Sequence, residues 1–131
     1  MTEIDELVGV ELARAVAIAR GWSQDVGFPH CWTQPRGGPW VIDDGPQVSF
    51  GNITATYRPD RDIAQAWELD GPACDGWRWE FRELRGDLTA RVVTVQRVGY
   101  ARVHLADFPT KANAYATARS RAFLKAKEAA R

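Results

Sequence analysis

The chain has 131 residues, of which 45% are hydrophobic and 26% charged, and its 17 basic side chains are balanced by 17 acidic ones. This composition predicts a globular protein and excludes a disordered chain. A net charge of zero excludes a duplex-DNA binder that depends on bulk positive charge, and equally an acidic mimic of DNA.

The length predicts one domain over residues 1–131. No window reaches the roughly 18 consecutive apolar residues that a membrane-spanning helix needs, and the acidic start does not resemble a secretory leader. We therefore expect a cytoplasmic protein that does not bind membranes. The two cysteines, Cys31 and Cys74, form no C-x-x-C motif, so reduced thiols are expected.

The charge is distributed unevenly along the chain. Residues 1–90 carry 8 basic and 15 acidic side chains, and residues 91–131 carry 9 basic and 2 acidic ones, so a net charge of −7 precedes one of +7. Two interpretations stay open: the halves neutralise each other, within the fold or between subunits, or the basic part faces an anion. Arginines outnumber lysines by 14 to 3, and planar guanidiniums suit phosphates and carboxylates.

The first half of the sequence predicts one long helix and one short helix around an irregular loop. Apolar spacing indicates a helix from Ile4 to Arg20, ended by Gly21. Residues 21–46 are rich in glycine and proline, so we expect an ordered loop with a turn at 43–45. A short helix follows Asp60, its predicted N-cap, and its inward face is predicted to be Ile63, Ala66 and Trp67.

The second half predicts three antiparallel strands and a closing helix. Residues 76–84, 88–96 and 99–105 alternate or are β-branched and are separated by turns, which is typical of a meander. Thr110 is the predicted N-cap of a helix that runs nearly to Arg131, with Arg119 inside its apolar face. The fold class is therefore α+β: an antiparallel sheet of about four to five strands with both long helices packed on it.

Several segments resemble small bacteriophage proteins. The stretch "LVGVELARAVAIARGW", followed by "CWTQPRGGPW", is similar to the opening of the NinX-like type. The segments "YRPDRDIAQAWELDG", "WRWEFREL" and "DFPTKANAYATARSRAFLKA" resemble the phage ABA sandwich domain. Together they cover most of the chain. The resemblance implies a layered α/β phage protein in the cytoplasm of a bacterial host, with no accepted catalytic motif, and it places the arginine of the closing helix at Arg121.

The residues offer little for catalysis, metals or cofactors. His30 adjoins Cys31, but neighbouring side chains in an extended loop point apart, which disfavours a catalytic pair. His30, Cys31, Asp43 and Asp44 lack the repeated spacing of a structural zinc site. No phosphate-binding glycine motif occurs. We therefore expect a non-enzymatic protein without a cofactor or metal.

Binding is the remaining class of function. If the pleats of the strands align, several cations converge on one surface with a tyrosine for stacking. The predicted ligand-binding residues are Arg78, Arg82, Arg91, Arg97, Tyr100, Arg102, His104, Arg119 and Arg121. The ordinary alternative is a solvated sheet face with cross-strand ion pairs. Alternation predicts that Trp77, Trp79 and Phe81 face the helices instead.

Three functions fit these residues. The first is a phage accessory protein that counters host defence by sequestering an anionic nucleotide signal, in a pocket between subunits of a homo-oligomer. The second is a protein–protein inhibitor of a defence nuclease or CRISPR effector, anchored by Trp22, Trp32 and Trp40. The third is weak nucleic-acid binding, which would depend strongly on salt.

Overall fold

The computed structural model describes residues 4–27, 31–34, 39–42, 56–67, 77–94 and 98–129. It confirms the α+β class, but the described strands form two three-stranded antiparallel sheets, so the expectation of one sheet with four to five strands is wrong. The helices are α1 (Gly9–Ala19), α2 (Ile63–Trp67) and α3 (Lys111–Ala129). The strands are β1 (Ser23–Gln24), β2 (Cys31–Thr33), β3 (Pro39–Val41), β4 (Arg78–Leu84), β5 (Asp87–Val93) and β6 (Val98–His104).

The larger sheet is the predicted meander, in the order β4, β5, β6. Its first hairpin closes through two residues, Arg85 and Gly86, whose φ angles of 52° and 82° are both positive. Positive angles at both positions are those of a type I′ turn, which matches the twist of the flanking strands. The turn pairs Leu84 with Asp87 and so fixes which side chains of β4 and β5 share a face.

Helix α3 lies against β5 and β6. Contact is close because the helix presents small side chains to the sheet, and every fourth residue in this stripe is a buried alanine: Ala114, Ala118, Ala122 and Ala126. The strands present Leu88, Ala90, Val92, Ala101 and Val103. At Gly99 the approach leaves no space for a side chain, since a Cβ there would lie 2.2 Å from the Ala122 carbonyl oxygen.

Helix α1 packs on α3 rather than on the meander, contrary to the prediction that both long helices cover one sheet. Its buried residues, including Leu12 and Val16, join Phe123 of α3 and the aromatic side chains of the first half. Helix α1 also begins later than predicted. Gly9 is the first residue of α1 and has a φ of 61°, so its left-handed conformation forms the turn into the helix and does not interrupt the helix interior.

The segment before α2 is fastened to α3 by polar side chains of the helix. Thr117 Oγ1 donates to the Asp60 carbonyl over 2.8 Å, and Ser120 Oγ donates to the Pro59 carbonyl over 3.0 Å. The predicted N-cap of α2 is corrected: Asp62 accepts the first amide hydrogens of the helix, whereas Asp60 is buried in an ion pair with Arg58. Asp60 therefore anchors the approach to α2 and leaves the capping to Asp62.

Two further predictions about helices have clear outcomes. Thr110 caps α3 as predicted, because its Oγ1 accepts the Asn113 amide hydrogen over 3.1 Å. Ala66 is buried in α2, while Ile63 and Trp67 are each about two-fifths exposed.

Among the described residues, no helix is both long and apolar enough to cross a membrane. The predicted turn at 43–45 lies outside the described residues.

Candidate functional site

The outer face of the meander, on the side away from α3, carries most of the predicted ligand-binding residues. Along β4 the exposed positions Arg78, Glu80 and Arg82 alternate with Trp79 and Phe81, which pack toward the core. The tryptophan and phenylalanine rings of β4 therefore fill the interior side, as predicted, and the charged residues between them face outward.

The register of the strands brings the outward residues into rows. Glu80 pairs with Arg91, and Arg91 pairs with Tyr100, so these three form one row across the sheet. The next row contains Arg82, Thr89 and Arg102. Because side chains directly opposite each other in antiparallel strands have Cβ atoms about 5 Å apart, neighbouring members of a row can act on one ligand.

An open cleft of about 390 Å³ lies over these two rows and is lined by Glu80, Arg82, Thr89, Arg91 and Tyr100. Glu80 lies between two cations, with its carboxylate oxygens 3.6 Å from Arg82 Nη2 and 3.6 Å from Arg91 Nη1. All three side chains are at least half exposed, and exposed pairs at such distances contribute about 0–1 kcal/mol. Either arginine can therefore exchange Glu80 for a more highly charged anion with little loss of free energy.

The end of the outer face near the hairpin holds a tighter cluster. Asp87 accepts hydrogen bonds from Arg102, whose Nε lies 3.1 Å from the carboxylate, and it contacts His104 Nδ1 on the opposite strand. Hydrogen bonds from Arg102 and His104 lower the pKa of Asp87 below the ordinary range of an aspartate. Arg102 is thus held by Asp87 more firmly than Arg82 or Arg91 is held by Glu80.

The Asp87 cluster predicts a pH dependence whose sign follows from the lowered pKa. The ionised carboxylate stabilises the fold above the ordinary aspartate pKa of about 3.9, and this contribution is lost as the pH falls through the lower pKa of the folded state. NMR titration of the Asp87 carboxyl carbon should give a midpoint below 3.9. Arg102→Ala should raise that midpoint, whereas an unchanged midpoint would contradict the assigned cause.

Arg119 does not lie on the outer face with the arginines of the described strands. Its side chain is 1% exposed and lies on the interior side of the meander. The guanidinium carbon is 4.3 Å from the ring centre of Trp67 and 3.8 Å from that of Trp79, and Nε donates to the Ala66 carbonyl over 2.8 Å. Arg119 therefore binds the last carbonyls of α2 and joins it to β4.

Arg121 is also separated from the outer face. It is buried beside the N-terminal segment, where Nε donates to the Leu7 carbonyl over 3.1 Å. Burial lowers the pKa of Arg121, while the nearby charge of Asp5 acts in the opposite direction. Arg121 therefore belongs to the contact between α3 and the segment before α1. Arg97, another predicted site residue, lies outside the described residues.

The three tryptophans predicted as partner anchors belong to the core. Trp22 and Trp32 are buried, and Trp40 is partly buried against the same cluster. The Trp22 ring packs 4.3 Å from that of Tyr57, centre to centre, and 6.1 Å from that of Trp40. An anchor must be exposed before it can enter a partner's pocket, so the buried rings of Trp22 and Trp32 do not offer such a surface.

Glu80 and Thr89 also line the cleft, although neither is among the predicted site residues. The signal that could have found them was the two-residue turn, since it sets the register that places Thr89 opposite Arg82 and Glu80 opposite Arg91. Within the described part of the chain, no three His, Cys, Asp or Glu side chains are arranged to hold a metal ion. Cys31 is a buried free thiol whose pKa is raised by burial and by Asp25.

Comparison of the chain with protein-family models, with curated proteins and with solved structures gives no match. The resemblance to phage proteins therefore stays a prediction.

Proposed function

We propose that this protein is a non-enzymatic binding protein that holds an anionic, nucleotide-like small molecule on the outer face of the meander. The observation that carries the proposal is the cleft in which Arg82 and Arg91 flank a single carboxylate beside the exposed ring of Tyr100. This arrangement offers cations for a phosphate and an aromatic surface for a base.

The charge of the outer face supports an anionic ligand. The face carries four arginines (Arg78, Arg82, Arg91 and Arg102) against two carboxylates (Glu80 and Asp87), which leaves a net charge of +2 when His104 is neutral. Guanidiniums present a planar fork of donors that fits a phosphate through two hydrogen bonds. A phosphate seated between Arg82 and Arg91 would replace the weak contacts that both now make with Glu80.

Tyr100 supports a ligand that contains a ring. Its side chain is 47% exposed and lies directly opposite Arg91 in the register. Stacking of a base on an aromatic side chain contributes about 1–3 kcal/mol and tolerates any base. The cleft volume of about 390 Å³ lies within the 300–1,000 Å³ typical of small-molecule sites.

The resemblance to phage proteins supplies the biological part of the proposal. A small phage accessory protein that binds nucleotides in the cytoplasm of its host would counter defence by removing a signal nucleotide. The alternative of an inhibitor anchored by tryptophans is less well supported because Trp22 and Trp32 are buried. Weak binding of nucleic acid remains a second use of the same arginines.

Isothermal titration with a panel of cyclic and ADP-ribose-type nucleotides tests the proposal. We expect at least one to bind, and Arg82→Ala and Arg91→Ala each to weaken it about tenfold or more, because a hydrogen bond to a charged group is worth about 1.5–3 kcal/mol. Tyr100→Ala should weaken it comparably. Arg61→Ala, at an exposed arginine before α2, is the matched control and should bind like the wild type.

Two results would overturn the proposal. One is the absence of heat from every nucleotide on a sample whose circular dichroism shows a folded protein. The other is binding that Arg82→Ala, Arg91→Ala and Tyr100→Ala leave unchanged. Retention on single-stranded nucleic acid that falls steeply with salt, without binding of any nucleotide, would favour the nucleic-acid alternative.

A further inference from the structure

Strand β4 forms an open edge of the meander within the described part of the chain. It pairs with β5 on one side, and no other described strand pairs with its second side. The backbone N–H and C=O groups along such an edge can pair with another strand. Strand β6 forms the opposite edge.

We propose that β4 pairs in antiparallel fashion with β4 of a second copy of this chain. The two three-stranded meanders would then form one continuous sheet across a two-fold axis. This inference does not depend on any ligand.

The aromatic side chains beside β4 favour this edge over β6. Helix α3 covers β5 and β6, where Ala101 and Val103 are already buried. On the interior side of β4, in contrast, Trp79 and Phe81 are only partly buried. Trp67 stacks on Phe81 with a 5.2 Å separation of ring centres and is itself 43% exposed. A strand added at β4 would cover apolar surface that α3 leaves exposed.

The outward charges of β4 are complementary to themselves in one register. When the two-fold axis passes through Phe81, all seven residues of β4 pair, and Glu80 of each copy lies opposite Arg82 of the other. Both side chains are available for this contact, since Arg82 is 74% exposed and Glu80 is 56% exposed. The two copies therefore gain two cross-strand ion pairs from one symmetric contact.

Neighbouring registers lack this complementarity. An axis through Glu80 would place Glu80 opposite itself and Arg78 opposite Arg82, and an axis through Arg82 would place two arginines opposite each other. Strand β6 offers no alternative, because "VGYARVH" contains no acidic side chain to oppose Arg102 or His104. An axis through Trp79 would also place Arg78 opposite Glu80, but only three residues of β4 would then pair, against seven for the axis through Phe81. The charge pattern and the length of β4 together thus select the strand and the register.

The proposed pairing would also enlarge the outer face. The cleft is lined on its β4 side by Glu80 and Arg82, and these are the residues that would lie along the seam between the copies. The two clefts would open on the same side of the joined sheet, with Arg82 of the second copy beside each of them.

Sedimentation velocity over a dilution series tests the inference with two charge reversals. Wild-type protein is expected to dimerise with increasing concentration, whereas E80R alone and R82E alone should stay monomeric because each places like charges opposite each other at the seam. An equimolar mixture of E80R and R82E should form a heterodimer, since every opposing pair is then of opposite charge.

The mixture distinguishes a specific contact from a loss of folding. Circular dichroism of each variant confirms that it is folded, and Arg102→Ala, on the other edge strand, is the control that should dimerise like the wild type. A monomeric wild type at every concentration overturns the inference. So does dimerisation of R82E alone, or a mixture that stays monomeric when both variants are folded.

Discussion

Replacing Gly99 by alanine is expected to destabilise the protein by about 3 kcal/mol, near the upper end of the usual cost of overpacking. The added Cβ would lie 2.2 Å from the Ala122 carbonyl oxygen and 3.0 Å from both the backbone nitrogen and the Cβ of Ala126. These neighbours belong to the backbone and first side-chain carbon of α3, so no rotamer change can relieve the clash. Either the helix or strand β6 must move.

Urea denaturation measures the lost free energy of unfolding in Gly99→Ala. In a thermal melt, a loss of this size lowers the midpoint temperature of a chain of this length by roughly 10 °C. Gly86→Ala is the matched control. A Cβ at Gly86 would meet no atom within 4 Å, so the cost there comes only from its φ of 82° and is about 1 kcal/mol. A smaller loss for Gly99→Ala than for Gly86→Ala would contradict the close approach of α3 to β6.

Replacing Arg119 by alanine is expected to cost about 3–5 kcal/mol. The substitution removes a large buried side chain from between Trp67 and Trp79, and it leaves the Ala66 carbonyl without the donor that now lies 2.8 Å away. A buried acceptor without a partner costs about 1–3 kcal/mol by itself. The cavity between the two rings accounts for the remainder.

Hydrogen exchange identifies which part of the fold Arg119 holds. Because its guanidinium binds the carbonyls of Ala66 and Trp67, Arg119→Ala should increase exchange in α2 more than in the meander. Arg78→Ala, at an exposed arginine of β4, is the control and should change stability by less than about 0.5 kcal/mol. Equal losses in the two variants would contradict a structural role for Arg119.

The meander was predictable because its signals are local. Alternation in "RWEFREL", β-branched residues in the next strand and a turn with Gly86 specify pairing, register and faces together. Strands β1, β2 and β3 have only two or three residues each and lie in a segment rich in glycine and proline. Such short strands carry no measurable period, which explains why the second sheet was not predicted.

The placement of α3 explains why the sequence did not separate its two arginines from those of the strands. Its sequence indicates an apolar face, but Thr117, Ser120 and the two arginines are buried as well. Polar side chains on a helix usually face solvent, and these do not, because backbone carbonyls of distant segments accept their hydrogen bonds. The spacing within α3 placed Arg119 inside the apolar face, but no pattern within the helix reveals the acceptors of Arg119 and Arg121, so both were grouped with the exposed arginines of the strands.

The order of elements has a consequence for how the chain folds during synthesis. Helix α3 is the last described element, yet α1, α2 and the strands β5 and β6 all pack against it. Ribosomes add about 5–20 residues each second, so the apolar faces of the earlier elements wait for seconds without their cover. Both core clusters include residues of α3, so we expect the nascent chain to present apolar surface to chaperones until α3 emerges.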